Sequence, residues 1–400
     1  MIRTFVRVSP IIILILILTT GCWDRKELNN LAIASAIGIE KKDGHYRVIV
    51  QIENAGEIAK KSASGTGAPV ATFQTNGKTV FEALRKMSTV SPREIYVSHL
   101  RFVVLSEELA QEGIGKALEF FSRYANFRTD FNIFIARKSE VINILTTLTQ
   151  IEKIPGISIF SSIRSSVRTW GEFQEISIDQ FISKMESDTG AVLPGLSYSG
   201  DEEISKNMSN IQNSLAPAHI KLSGMAVFKK DRLRGWLNEM ESIGLNFTQN
   251  AIKETVVHVP CGKEGNMAVD IFHTKAKVKS WIENEKPYGG IDLYIEGSIG
   301  EIPCPIDVSQ VEKILLLEKN TNKEIEKYVS SALRKSQKSL RSDIFGFGEE
   351  LNRSNPKKWG AFKKNWDAFF VDLPVEITVK TKLRSSGQTL KSFLENVTKE

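Results

Sequence analysis

The stretch HLRFVVLSEELAQEGIGKALEFFSRYANFRTDFNIFIARKSEVINIL, residues 99–145, decides the fold, because strand and helix patterns alternate along it. His99–Leu105 and Asn132–Ala136 are short apolar runs that predict buried strands. Ser106 is placed to cap the helix between them, and Ser139 to cap the helix that follows. The apolar face of the first helix consists of Leu109, Ile114, Leu118 and Phe121. Strands that alternate with helices predict a mixed sheet covered by helices.

The residues before this stretch extend the same pattern. Ala32–Glu40 and Tyr46–Glu53 predict two strands, and the Asp43-Gly44 pair between them favours a hairpin turn because it accepts positive φ. Residues 56–69 are rich in Gly, Ser and Ala without an apolar period, which predicts a loop. A further strand and a helix are predicted at Val70–Thr75 and Thr79–Thr89.

The residues after this stretch change in character. Residues 198–217 are polar and poorly periodic, which predicts a domain boundary. Beyond them, period-2 alternation predicts half-buried antiparallel strands. These are Lys221–Phe228, Leu233–Leu237, Glu254–Val259, Met267–His273, Ala276–Ile282 and Ile291–Ile299. Ser309 with Glu312 predicts a capping box that opens a long helix to about Leu340. Lys319–Asn322 interrupts the apolar pattern, so this is either one long helix or two nearly continuous ones. Val375–Leu383 predicts a last strand.

The chain is therefore predicted to be an α+β protein of about three domains. Mixed and antiparallel sheets are flanked by helices, and one long helix lies in the C-terminal half. The predicted divisions are a signal peptide at 1–21, an α/β region at 22–197, a linker at 198–217, a β-rich middle region at 218–305, and a helix-plus-strand region at 306–400 that packs with the middle region.

The composition is that of an ordinary globular protein, with 400 residues, 41% hydrophobic and 25% charged. It excludes a collagen, a disordered chain and a protein with many membrane spans. The net charge is +6, but Lys and Arg are scattered rather than clustered with aromatic residues. We therefore expect no nucleic-acid partner.

The N-terminus has the features of a secretory signal. Arg3 and Arg7 precede the apolar run Ile11–Leu18, which is too short to span a bilayer. Cys22 follows small residues and resembles the cysteine of a bacterial lipobox, although Thr19 departs from the usual branched apolar residue. The resemblance implies that Cys22 carries a diacylglycerol thioether and an N-acyl chain after cleavage. The alternative is an uncleaved anchor with an incidental cysteine.

Two further cysteines, Cys261 and Cys304, leave two interpretations open. Outside the cytoplasm they could form a disulfide, because that environment can be oxidising. They could also be two small, partly buried apolar side chains, and this is the interpretation that we prefer from the sequence. Three cysteines are too few for a disulfide framework.

Motifs of catalytic and metal sites are missing from the sequence. None of the five histidines forms a pair at helical spacing, and there is no His-Glu-x-x-His, Cys-x-x-Cys, Gly-x-Ser-x-Gly or phosphate-binding loop. Carboxylate pairs are abundant, but nothing distinguishes one as an acid and base. We therefore expect a protein that is not an enzyme and that has no metal or cofactor.

The stretch DIFGFGEELNR, residues 343–353, contains two glycines beside two acids. It is a poor phosphate loop, because acids stand where the helix N-terminus would meet phosphate. We predict a glycine-permitted turn that holds Phe345 and Phe347 against the core, followed by a new helix whose first turn favours acidic residues. Large aromatic residues follow, and core packing is preferred over a binding surface for them. They are Trp359, Trp366, Phe369 and Phe370.

Several stretches together resemble one family. CWDRKELNNLAIASAIGIE (22–40) resembles the start of mature Ger(x)C-type proteins, the C-subunit lipoproteins of nutrient germinant receptors in endospore-forming bacteria. Trp23, Asp24 and Glu27 match the family pattern, without a chemical role that we can assign. The resemblance continues through GMAVFKKDRLRGWLNEMESIGLNF (224–247), DIFGFGEELNRSNPKKWGAFKKNWDAFF (343–370) and VEITVKTKLRSSG (375–387), and so covers almost the whole chain.

The resemblance implies a non-catalytic lipoprotein on the outer surface of the cell membrane, which in the spore is the inner membrane. It would work in assembly or signal relay beside two integral membrane proteins, the A and B subunits of the receptor, and contact membrane lipid through Cys22. The alternative is an extracytoplasmic solute-binding lipoprotein that captures a small nutrient. Such proteins have two α/β lobes around a cleft, which fits the strand-rich second half poorly.

Overall fold

The computed structural model describes residues 30–59, 67–187, 189–261, 265–304 and 306–385. In these residues the strands form one sheet of nine strands and one of four. The strands are β1 (Leu31–Lys42), β2 (His45–Glu53), β3 (Val70–Gly77), β4 (Glu94–Tyr96), β5 (Phe102–Ser106), β6 (Asn132–Ala136), β7 (Ala191–Gly200), β8 (Ala218–Lys229), β9 (Arg232–Leu237), β10 (Thr255–Pro260), β11 (Asn266–Glu283), β12 (Lys286–Glu301) and β13 (Val375–Ser385).

Helices flank both sheets, which confirms the predicted α+β class. They are α1 (Ala55–Ala59), α2 (Val80–Lys86), α3 (Glu107–Glu112), α4 (Gly115–Arg123), α5 (Val141–Thr146), α6 (Pro155–Thr169), α7 (Ile178–Glu186), α8 (Glu202–Ser205), α9 (Ser209–Gln212), α10 (Glu239–Thr248), α11 (Val311–Arg334), α12 (Phe347–Ser354), α13 (Pro356–Lys363) and α14 (Trp366–Val371). A 3₁₀ turn at Met87–Thr89 continues α2, and a π-helical turn at Lys335–Leu340 continues α11.

The larger sheet is mixed, with strand order β3-β2-β1-β5-β6-β7-β8-β9 and β4 beside β1. Its centre is parallel and its two ends are antiparallel hairpins. Every residue of β5 and β6 is buried, because both faces of these central strands are covered. The Asp43-Gly44 turn has positive φ at both residues, and Ser106 accepts from the backbone N–H of Leu109, as the sequence predicts.

The smaller sheet has the order β10-β11-β12-β13. The first three strands are antiparallel and β13 is parallel to β12, so this sheet is also mixed. Burial alternates along β12, as expected when only one face packs on a core. The inner face contacts α10 and α12.

The long helix predicted in the C-terminal half is continuous from Val311 to Leu340, through the π-helical turn. It lies along the outer edge of β13, where the Asn322 side chain accepts from the backbone N–H of Thr381 at 2.8 Å. One turn earlier, the Glu318 carboxylate accepts from the backbone N–H of Leu383 at 3.0 Å. The helix therefore satisfies backbone donors that an edge strand would leave open.

Two predicted helix caps are wrong. Ser309 does not cap α11, because its hydroxyl donates to Asp307 instead and the residue before the helix is Gln310. Ser139 does not cap α5, because its hydroxyl donates to the backbone oxygen of Arg137 and accepts from the backbone N–H of Tyr198. Both hydroxyls have a nearer competing partner.

The predicted linker at 198–217 connects β7 to β8, which are neighbours in the larger sheet. The chain changes sheets later, between β9 and β10. The polar residues of this segment have structural partners: Asn210 is fully buried, and its side chain bonds the backbone of Leu148 and both the N–H and the carbonyl of Ala218. The polar composition therefore includes a buried side chain that joins α9 to the start of β8 and to the segment after α5.

Cys261 and Cys304 form a disulfide between the end of β10 and the segment after β12. The preferred sequence interpretation, two unpaired apolar side chains, is therefore wrong for the pairing, although both residues are buried. The antiparallel pairing of β10, β11 and β12 brings the two cysteines together across 43 residues of sequence.

Candidate functional site

The predicted lipid site lies outside the described residues. Cys22, its neighbours Trp23, Asp24 and Glu27, and the predicted signal peptide at 1–21 all precede Asn30, the first residue that the structure describes. Among the described helices, none has the length and hydropathy needed to cross a bilayer. In the same residues, no group of three or more His, Cys, Asp or Glu side chains is arranged to hold a metal ion.

The strongest cluster of polar contacts surrounds Asp343. This fully buried carboxylate accepts four hydrogen bonds, from the backbone N–H groups of Gly346, Phe347 and Gly348 at 2.8–3.2 Å and from the Trp366 indole N–H at 2.9 Å. Three of the donors belong to the N-terminal end of α12, where the helix dipole favours negative charge. Burial raises the pKa of Asp343, and the four donors oppose that effect.

The local sequence explains this geometry. Gly346 adopts a left-handed conformation with φ of 82°, which turns the chain into α12. Gly348 gives the Trp366 ring room, because a Cβ on Gly348 would lie 2.6 Å from the indole nitrogen. The predicted turn is confirmed, since Phe345 and Phe347 are both buried.

Residues 342–349, which we call the junction loop, contact both sheets. On the side of the larger sheet, the Ser342 hydroxyl donates to the backbone oxygen of Phe228 at 3.0 Å. The backbone N–H of Gly190 donates to the backbone oxygen of Asp343 at 2.8 Å. On the side of the smaller sheet, the Ser280 hydroxyl donates to the backbone oxygen of Phe347 at 2.8 Å. The loop therefore connects β8 and the start of β7 with β11.

A second set of contacts joins the same regions through α10. The buried Asn246 amide donates to the backbone oxygens of Gly171 and Glu172 at 2.7 and 2.9 Å. The Gln249 amide donates to the backbone oxygen of Ile344 in the junction loop at 2.8 Å. Thr255, the first residue of β10, donates its hydroxyl to the backbone oxygen of Trp170. Side-chain amides of α10 and the residue after it thus bind the backbone at Gly171 and Glu172 and the backbone of the junction loop.

Glu172 is a second buried carboxyl at this junction. Burial raises its pKa to about 7, and the nearby charge of Glu239 adds to the effect. Hydrogen bonds from the Gly224 backbone and the Trp170 side chain, with the positive charge of Arg137, oppose it. Arg137 itself stacks over the Trp236 ring, 4.8 Å from its centre. The junction therefore holds a carboxyl that changes charge near neutral pH.

The sequence predicts part of this site. Trp359, Trp366 and Phe370 are buried, as preferred, whereas the Phe369 side chain is 38% exposed. The roles of Asp343 and Glu172 were missed. For Asp343 a signal exists, since an Asp placed three to five residues before backbone donors at a helix start can accept from them. For Glu172 nothing in the local sequence indicates burial.

Comparison with known proteins gives two family models that divide the chain between them. The model described as spore germination protein N-terminal domain matches residues 24–198. The model described as spore germination B3/GerAC like, C-terminal, matches residues 223–387 and so contains the junction loop. Residues 199–222 lie between the two models, and the larger sheet continues across them.

Curated relatives match over nearly the full length. Spore germination protein KC of Bacillus subtilis (strain 168) is 32% identical over 388 residues, 95% of each chain. Spore germination protein B3 of the same organism is 23% identical over 374 residues, 92% of this chain and 94% of that protein. A solved structure, the crystal structure of the GerBC protein, has a TM-score of 0.57 at 17% identity and covers 90% of this chain and 100% of that one. The chain therefore belongs to the spore germination B3/GerAC-like family.

Proposed function

We propose that this protein is a non-catalytic subunit of a germinant receptor, and that it acts in nutrient-triggered spore germination through assembly or signal relay. The observation that carries the proposal is the match to spore germination protein KC along 95% of both chains. The family resemblance adds the expected partners, two integral membrane A and B subunits. A full-length match supports a shared overall role more strongly than a match to one domain would.

The junction between the sheets supports relay as the mode of action. The junction loop bonds to β8 on one side and to β11 on the other, so a displacement of one sheet is transmitted to the other through short polar contacts. Asp343 holds this loop with its four hydrogen bonds. Coupling of this kind needs a rigid connection between two surfaces.

The proposal includes lipid anchoring at Cys22 on the outer surface of the membrane. A diacylglycerol supplies two acyl chains, which anchor stably where one chain binds only reversibly. Asn30, where the described structure begins, is eight residues after Cys22. Since an extended chain covers at most about 3.5 Å per residue, Asn30 lies within about 28 Å of the anchor. Confinement near the membrane raises the effective concentration for membrane partners.

The first test is Cys22→Ala, compared with Lys26→Ala as a control in the same segment. We expect the alanine variant at Cys22 to leave the spore membrane fraction and germination through this receptor to slow, because the thioether cannot form. Lys26→Ala should fractionate as the unmodified protein does. Membrane fractionation followed by immunoblotting measures the first effect, and loss of spore optical density measures the second. Normal membrane retention of the Cys22 variant would contradict the anchor.

The second test is co-purification of the tagged protein from spore membranes. We expect two integral membrane proteins to accompany it. Recovery of the protein alone, under detergent conditions that preserve other membrane complexes, would contradict the receptor assignment. Calorimetric titration of the chain from Trp23 onward with amino acids and sugars tests the alternative role as a solute-binding protein. Tight binding would favour nutrient capture over signal relay.

A further inference from the structure

The outer face of the smaller sheet carries many charged residues, with a small excess of cations. Alternate residues of β11, β12 and β13 point away from the core and are exposed, because α10 and α12 cover only the inner face. We call this surface the basic face. Its charged residues are Asp270, Lys275, Lys277, Lys279, Glu283, Lys286, Asp292, Glu296, Glu376, Lys380, Lys382 and Arg384, so seven cations stand beside five carboxylates.

Three of these cations have carboxylate partners. Lys279 pairs with Asp292, Arg384 pairs with Glu296, and Lys382 lies 3.8 Å from Glu318 of α11. The other four, Lys275, Lys277, Lys286 and Lys380, form no ion pair with another described residue. Lys275, Lys277 and Lys380 are neighbours in the middle of the face, whereas Lys286 lies at its hairpin end.

Lys275, Lys277 and Lys380 surround one depression of about 330 Å³, which Asp292 also lines. Lys275 lies opposite Tyr294 on β12, and Tyr294 lies opposite Lys380 on β13. The two lysines are therefore two strand spacings apart, about 10 Å between their backbones, and their flexible side chains can reach a common anion. Lys277 belongs to the next row, opposite Asp292.

Aromatic rings border the same face. Trp281 stacks on Tyr288 with ring centres 6.0 Å apart, and Trp281 and Tyr294 are each more than one-third exposed. Tyrosine and tryptophan are enriched where proteins meet the membrane interface, because one part of the ring system is apolar and the other is polar. Exposed aromatic rings would not contribute to the binding of a free inorganic anion. The combination of lysines and exposed rings matches a lipid surface in charge and in amphipathic character.

We propose that the basic face binds the phosphate groups of anionic phospholipid headgroups, through Lys275, Lys277 and Lys380 around the depression. The choice of a membrane surface as the source of phosphate rests on the proposed anchor, which keeps the body close to the bilayer. The face gives the protein a second membrane contact, so that its orientation on the bilayer is fixed by two points rather than one.

The test uses the unlipidated chain from Trp23 to Glu400, which keeps every described residue. Its binding to vesicles of phosphatidylcholine mixed with phosphatidylglycerol is measured by co-sedimentation, beside vesicles of phosphatidylcholine alone. We expect binding only to the anionic vesicles, weakened by added salt. The triple variant Lys275→Gln, Lys277→Gln, Lys380→Gln should bind about a hundredfold more weakly, since each lysine near an anionic surface contributes roughly fivefold.

The matched control is Lys116→Gln, Lys153→Gln, Lys357→Gln, which removes the same charge from exposed lysines elsewhere. It should weaken binding by less than about threefold, through net charge alone. Equal losses in the two triple variants, binding to neutral vesicles, or no binding to anionic vesicles would each overturn the proposal. So would binding of inorganic phosphate as tight as that of vesicles. Because this assay contains no lipid anchor, its failure is separate from failure of the Cys22 test.

Discussion

The two sheets differ in how they are stabilised. In the larger sheet, every residue of β5 and β6 is buried, so apolar burial on two faces stabilises the centre. In the smaller sheet, one face is exposed, and specific connections support the other: the Cys261–Cys304 disulfide, the Asp343 contacts and the helix along β13. We infer that single substitutions at these connections will affect the smaller sheet far more than comparable substitutions affect the larger one.

The largest effect is expected for Asp343→Ala, which leaves four buried donors without an acceptor. Since each unsatisfied buried donor costs about 1–3 kcal/mol and some donors will find water, we expect a loss of about 3–5 kcal/mol in the free energy of unfolding. Urea denaturation followed by tryptophan fluorescence measures it. Because the junction loop joins the sheets, we also expect the smaller sheet to unfold first, in a separate transition.

The control for this variant is Asp367→Ala, an exposed carboxylate that pairs with Lys229. A surface ion pair contributes at most about 1 kcal/mol, so this variant should unfold nearly as the unmodified chain does. If Asp343→Ala also lost less than about 1 kcal/mol, in one transition, the junction loop would not be the connection between the sheets.

A smaller effect is expected when the disulfide is removed by the paired substitution Cys261→Ala and Cys304→Ala. A disulfide that closes a loop of this length, with the cysteines 43 residues apart, is expected to contribute about 2–4 kcal/mol. Hydrogen exchange measured by mass spectrometry should show faster exchange in β10 and β12 and unchanged exchange in β5 and β6. Equal acceleration in both sheets would show that the bond stabilises the whole molecule instead.

The smallest effect, and the one that depends on pH, concerns Glu172. Its pKa is raised from 4.5 to about 7, so the folded chain retains a proton that the unfolded chain releases. The stability from this group is therefore fully present below pH 4.5 and is lost as the pH rises through about 7. Between about pH 5 and pH 8, the unmodified chain should lose about 1–2 kcal/mol relative to Glu172→Gln, a figure reduced for partial solvent contact.

Urea denaturation at several pH values measures this difference. Glu175→Gln is the control, because Glu175 is an exposed carboxylate three residues along the chain. A stability difference between Glu172→Gln and the unmodified chain that stays constant with pH would show that Glu172 is ionised throughout the range.

The sequence predicts local structure well where one residue determines it. The Asp43-Gly44 hairpin and the Ser106 cap each follow from neighbouring residues alone. Ser309 and Ser139 were mispredicted because competing partners nearby take their hydroxyls. The choice depends on geometry that spacing does not contain.

Long-range features could not be predicted from the sequence, for a different reason. Cys261 and Cys304 pair because three antiparallel strands bring them together, and no local pattern reports that register. Asn210 of α9 holds the predicted linker against the start of β8 and the segment after α5 through hydrogen bonds to Ala218 and Leu148. The candidate site shows the same limit: the turn before α12 was predictable, whereas the contacts of its loop with Phe228 and Ser280 were not.

The helix along β13 also restricts how this protein can associate. A partner peptide that adds a strand to a sheet needs open backbone donors and acceptors at its edge. At β13 the side chains of Asn322 and Glu318 already accept from Thr381 and Leu383, and the helix occupies the space where a new strand would lie. Strand addition at this edge is therefore blocked, both for partners and for further copies of the chain.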